Sequence, residues 1–138
     1  MRILEWIKIF GKSNIKKKES RTYTITLNDS LLEKAVVHST LSHSKTYKLL
    51  REYKTPQYDT LYVLRNKKGF NTMGFTLNYD VVICDKNGKV LELLQDTIEG
   101  YISKYYNKSH FIYFMTVGSI NHYKIELYNI LRLQGIWT

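Results

Sequence analysis

The sequence predicts a mainly β domain, an antiparallel sandwich or barrel-like fold with one or two short helices. Three observations carry that reading. Several short stretches alternate apolar with polar residues and are rich in Val, Ile, Thr and Tyr; Gly, Asn and Asp punctuate them; and only one stretch after the first twenty residues shows convincing helical spacing, which Pro56 ends. The chain has 138 residues, 43% of them apolar, enough for one domain that buries roughly two-thirds of its unfolded surface. The expected division is a basic helix or arm over residues 1–20 and a single β domain over 21–138.

In the first eleven residues Ile3, Trp6, Ile7 and Phe10 recur on one helical face, and Gly11 can stop the helix. The stripe either docks on the domain or meets a partner. Arg2, Glu5 and Lys8 interrupt it, so it is neither a secretory core nor long enough to span a bilayer. A cytoplasmic protein is expected, peripheral to a membrane if the arm engages lipid. From Arg21 the period changes to two: Tyr23, Ile25 and Leu27 alternate with threonines, as in a half-buried strand, until Asn28-Asp29-Ser30 breaks it. Leu31 to Ser39 reads either as a helical turn or, around Ala35 to His38, as a strand. A helix is expected from Ser42, a candidate N-cap, to Glu52, with Tyr47, Leu50 and Leu49 inward.

Thr60 to Arg65 is the next strand. Two hairpin arms follow, Phe75 to Cys84 and Lys89 to Thr97, joined through Asp85-Lys86-Asn87-Gly88. Asn87-Gly88 fits a type I′ turn, which needs positive φ at both central positions. Glu99 to Lys108 reads as loop, Phe111 to Val117 as strand and Tyr128 to Leu133 as a further strand.

The run Phe70-Asn71-Thr72-Met73-Gly74-Phe75-Thr76-Leu77-Asn78-Tyr79-Asp80, continuing through Asp85 and Gly88 to Val90, resembles the signature of an uncharacterised family, domain of unknown function 192. That family reads aromatic-His-Thr-x-x-Met-x-Phe-Pro-Ile-Asp, a β run, then Asp-x-x-Gly-x-Val. Thr72, Asp80, Asp85, Gly88 and Val90 match it, whereas Asn71, Phe75 and Asn78 replace its His, Met and Pro. The similarity extends over roughly Ala35 to Leu133, and Gly118 matches a later glycine. The resemblance implies a compact β sandwich whose biochemical role is unsettled for the family itself.

Chemistry is harder to find. There is no Gly-x-Ser-x-Gly, phosphate-binding Gly-rich loop, His-Glu-x-x-His or Cys-x-x-Cys. Catalytic residues, cofactors and metals are accordingly not assigned. His38, His43, His110 and His122 have no compact ligand spacing, and the lone Cys84 reads as a small buried residue. Alternation places Asp80 on one face of its strand with Asn78, Val82 and Cys84. If both faces are covered, this carboxylate needs a partner. Thr72 or backbone donors in the preceding turn would make it structural, which is the favoured reading; a pocket with Asn71 and Thr72 would make it ligand-binding. Asp85 is explained by capping its turn.

The formal charge is +9, and residues 1–21 hold +5 of it. Lys12, Lys16, Lys17 and Lys18 can meet nucleic acid or anionic lipid, although the abundance of Lys, Asn, Ile and Tyr also suits an A/T-rich coding sequence. Tyr105, Tyr106 and Tyr113 beside Lys104 and Lys108 could offer a base-stacking surface, or simply be strand and half-buried residues. The favoured function is a non-catalytic module that binds a small ligand or a protein. Alternatives are association of the basic arm with nucleic acid or membrane, and an enzyme pairing Asp80 with a histidine.

Overall fold

A computed structural model describes residues 20–38, 43–55 and 60–135. The expected N-terminal helix, its lysines, the Ser42 cap and Pro56 lie outside them. The domain is mainly β and sandwich-like, with two short helices in the described residues. Its strands are β1 Ser20–Leu27, β2 Ser30–His38, β3 Thr60–Arg65, β4 Tyr79–Cys84, β5 Val90–Thr97, β6 Phe111–Thr116 and β7 Leu131–Gly135; its helices are α1 His43–Glu52 and α2 Ser119–Tyr123. The strand order is β5-β4-β6-β3-β2-β1-β7. Every pairing is antiparallel except β2 with β3, the pair that α1 connects, because parallel neighbours need a crossover rather than a tight turn.

The sheet curls. Ile25 of β1, Val63 of β3, Val82 of β4, Val90 of β5, Tyr113 of β6 and Leu131 of β7 share one core on one face. Seven strands about 4.8 Å apart would span roughly 29 Å if flat, so the two edge strands reach a common core only by bending towards each other. They meet beside the β4–β5 turn, where Val90 N–H donates to Asn129 O at 2.8 Å and Leu131 N–H to Gly88 O at 2.8 Å. This stitch is local, and the sheet does not close into a barrel.

The outer face carries a second core. Tyr62, Leu64, Tyr79, Val81, Ile83, Ile112 and Phe114 pack there against Tyr47 and Leu50 of α1 and against Phe70 and Phe75. Thus β4 is buried along its whole length, and the alternation expected for it holds: Tyr79, Val81 and Ile83 face outward, Val82 and Cys84 inward. In α1 Thr46, Tyr47 and Leu50 are buried and Leu49 is half-buried.

Three local expectations change. The first arm of the central hairpin starts at Tyr79 rather than Phe75, because residues 70–78 form irregular chain whose Phe70 and Phe75 fill the outer core. The Asp85–Gly88 turn is not type I′: Gly88 has φ 87° whereas Asn87 is not among the positive-φ residues. Gly88 N–H donates to Asp85 O at 3.0 Å, and the Asp85 carboxylate accepts from the Asn87 and Lys89 N–H groups, each at 2.9 Å. One glycine in the left-handed region after a tight turn replaces two. The two-residue loop with both φ values positive is instead Asn28-Asp29, at 51° and 68°, between β1 and β2. Helix α2, finally, has no helical period in sequence because it is barely one turn long.

Candidate functional site

Asp80 lies on the inner face at the end of β4 away from the hairpin turn, 1% exposed. One carboxylate oxygen accepts from Asp96 N–H at 2.9 Å; the other accepts from Gly118 N–H and Ile120 N–H, each at 3.0 Å. Asp96 (φ 50°) sits near a register shift between β4 and β5, and Gly118 (φ 96°) opens α2. The buried anion is neutralised by backbone donors, as a structural role requires. These donors come from β5 and from the start of α2, and neither Thr72 nor the turn before β4 supplies them. No histidine side chain is among them.

Thr72 is buried and fixes a different junction. Its hydroxyl donates to Ile98 O at 2.6 Å and accepts from Tyr101 N–H at 2.9 Å. The Asn71 side-chain oxygen accepts from Met73 N–H at 3.1 Å. Asn71, Thr72 and Asp80 therefore share no hydrogen-bond partner, and none of them lines either cavity described below.

Gly88 is constrained most tightly of the signature residues. A Cβ there would lie 2.7 Å from Leu131 O, a backbone atom that cannot swing away, so the stitch between the hairpin and β7 requires glycine. Cys84 is fully buried, and burial with the neighbouring Asp85 pushes its thiol pKa far up, leaving an inert thiol. His43 Nε2 contacts Arg65 O at 2.6 Å; His110 is half-buried with its ring 4.5 Å from that of Phe111; and His122 is exposed on α2. Among the described residues no group of three or more His, Cys, Asp and Glu could hold a metal ion, and no helix is long and apolar enough to cross a membrane.

The three tyrosines proposed as one stacking surface are separated by the sheet. Tyr113 belongs to the inner core and Tyr106 packs on the outer one. Tyr105 is exposed, while Lys104 Nζ lies 5.4 Å from the Tyr106 ring centroid.

What the fold does assemble is a mouth at the hairpin end of the curled sheet, a cavity of about 420 Å³. Phe111 and Tyr113 form its floor, with rings 6.1 Å apart and 25° from parallel. Leu131, Leu133 and the Gly88 backbone form a wall, and Arg65, Lys86 and Arg132 supply the charge. Arg65 is directly opposite Phe111 in the β3–β6 register. Arg132 is engaged, donating to Asn87 O at 3.2 Å and standing 4.0 Å from Asp29. Burial raises the Tyr113 pKa far more than the nearby Arg65 charge lowers it, so Tyr113 is a neutral phenol at ordinary pH. A second cavity of about 380 Å³, by Thr76, Asn78, Asp96 and Val117, has one ionisable carboxylate, which accepts from Asn78 Nδ2 at 2.9 Å.

Sequence reasoning passed over this mouth because its charged residues span 65 to 132. One signal was present: Arg65 continues the inner-face column of Leu61 and Val63, a cation where the period calls for an apolar residue.

No protein-family model matches the chain, and no curated protein matches it in sequence. Its structure is similar to that of a proposed transcription regulator from Sinorhizobium meliloti 1021, with a TM-score of 0.66 at 10% identity, over 83% of this chain and 92% of that one. It is also similar to a protein of unknown function from Novosphingobium aromaticivorans DSM 12444, with a TM-score of 0.64 at 12% identity, over 82% of this chain and 84% of that one. At these identities the likeness is one of fold.

Proposed function

We propose that this chain is a non-catalytic binding module that takes a small ligand in the mouth of its curled sheet. The observation that carries the reading is a cavity of ligand size whose Arg65 and Lys86 side chains have no ion pair among the described residues. Pockets of roughly 300–1,000 Å³ with an apolar lining and a few convergent polar groups are the usual form of small-molecule sites. Asp80 receives no catalytic role, since it is 1% exposed and already accepts from three backbone N–H groups, whereas a general base must come within hydrogen-bond reach of substrate.

The relation to the domain of unknown function 192 family stays part of this proposal. It is supported by the structural task that falls to Thr72, Asp80, Asp85 and Gly88, four of the five matching positions. Such a family would share a scaffold while its ligand is set elsewhere. The test is a thermal-shift and amide chemical-shift screen of the full chain with neutral, cationic and anionic small molecules. Binding that perturbs the Gly88 and Phe111 amides is expected; a screen with no such perturbation from any class sinks the reading.

The charge of residues 1–21 favours a second, separate activity, contact of Lys12, Lys16, Lys17 and Lys18 with nucleic acid or anionic lipid. Deleting residues 1–19 should then abolish a salt-sensitive association, and an association unchanged by that deletion refutes it.

A further inference from the structure

We infer that the mouth selects a small planar aromatic anion, its ring laid on Phe111 and its anionic group held by Arg65 and Lys86; this rests on the binding-module reading above. The charge is concentrated. Beyond residue 21 the whole chain has an excess of only +4 over 117 residues, yet this one cavity gathers Arg65, Lys86 and Arg132 with no carboxylate in its lining. Scattered solvated cations would ordinarily be interspersed with acids. Of the three, Arg132 is held by Asn87 and Asp29, which leaves the exposed Arg65 and Lys86 to receive the anion. A guanidinium offers a planar fork that fits carboxylate or phosphate through two bonds, and an ammonium adds a point charge.

The floor selects the rest of the ligand. Phe111 is half-buried with its ring against Tyr113, which is 2% exposed. The accessible aromatic face is therefore that of Phe111, and a flat ring recovers more contact there than an aliphatic chain does. Arg65 stands across from Phe111 in the strand register, so ring and anion are read by neighbouring residues on two strands. A ligand whose anionic group is joined directly to its ring fits that spacing, and the anionic group can be a carboxylate or a phosphate.

The experiment titrates the full chain by calorimetry and amide chemical shifts with indole-3-carboxylate and with phenyl phosphate, which separate the two anion sources. Indole, inorganic phosphate and tryptamine are the controls. At least one ring-bearing anion should shift the Gly88 and Phe111 amides and bind at least tenfold more tightly than indole or phosphate, with tryptamine weakest. Arg65→Gln should weaken that binding at least tenfold, and Arg65→Lys, which keeps the charge but not the fork, should weaken it less. Phe111→Leu should weaken the ring-bearing anion while leaving phosphate unchanged. Dispersed amide spectra check that each variant folds. Neither ring-bearing anion binding more tightly than indole, or Arg65→Gln without effect, overturns the ligand class. If a neutral or cationic compound occupies the mouth instead, the inference falls and the binding-module reading stands; if no compound of any class does, both fall.

Discussion

The two ends of the curled sheet treat polar groups in opposite ways. At one end α2 plugs the interior with Ile120, its neighbour Ile125 joins the inner core, and the Asp80 carboxylate ties β4, β5 and α2 by accepting from three backbone N–H groups. At the other end, along the same inner face of β4, the Cys84 column runs into a turn where Lys86 faces an open cavity with Arg65. A polar group shut from water and bonded to the backbone of several elements holds the fold together. A charge left in water at the edge of an apolar floor costs the fold little and remains available to a ligand. The signature-bearing residues are mostly of the first kind, and the mouth cations of the second.

The strongest way to break this contrast is to empty the closed end. Asp80→Ala removes the acceptor of the buried Ile120 N–H and of the part-buried Asp96 and Gly118 N–H bonds, and since a fully buried unpaired donor costs about 1–3 kcal/mol, a loss of about 2–4 kcal/mol is expected in denaturant melts. Asp80→Asn, with one acceptor oxygen and an amide N–H₂ turned towards backbone donors, should recover only part of it. A melt unchanged by Asp80→Ala would show that the carboxylate does not hold β5 and α2. Gly88→Ala comes next: a left-handed backbone costs an L residue about 1–2 kcal/mol and the clash with Leu131 O adds strain of similar size, so about 2–4 kcal/mol should be lost. If alanine is accepted there without cost, the stitch to β7 is looser than the 2.7 Å between an added Cβ and Leu131 O implies.

Alkali tests the core between the two ends. Burial pushes Tyr79 up to about 12 and raises Tyr62 and Tyr113 further. The unfolded chain therefore releases these protons first, near pH 10. Stability should be full below pH 10 and fall as pH rises towards 12 and beyond. Ultraviolet titration should show these rings ionising together with unfolding; early ionisation of all twelve tyrosines would refute the burial. Thr72→Val, which leaves Ile98 O and Tyr101 N–H without their partner, should cost about 2 kcal/mol, read as the same melt. The smallest effect sharpens the comparison from the other side. Arg65→Gln with Lys86→Gln should change stability by no more than about 0.5 kcal/mol while removing ligand binding, and a large destabilisation would make those cations structural after all.

Much of the scaffold was legible from residues alone. The Thr60–Arg65 strand, the α1 face with Tyr47 and Leu50, the alternation that buries Asp80 and the capping of the turn by Asp85 all follow from period and turn chemistry. The type I′ geometry was assigned to Asn87-Gly88, but the pairing of β7 with the hairpin left only Gly88 at positive φ. At Asp80 the need for partners was readable and their identity was not, since Asp96 and Gly118 lie 16 and 38 residues away.

By itself the sequence determined a mainly β fold, the β4–β5 hairpin and the alternation along β4, because side-chain period and turn preference act over a few neighbouring residues. Tertiary structure alone decided how strongly the sheet curls, which backbone groups neutralise Asp80, and that Arg65, Lys86 and Arg132 meet above Phe111. Those outcomes depend on which strands become neighbours, and strand order is set by long-range burial that no local pattern records.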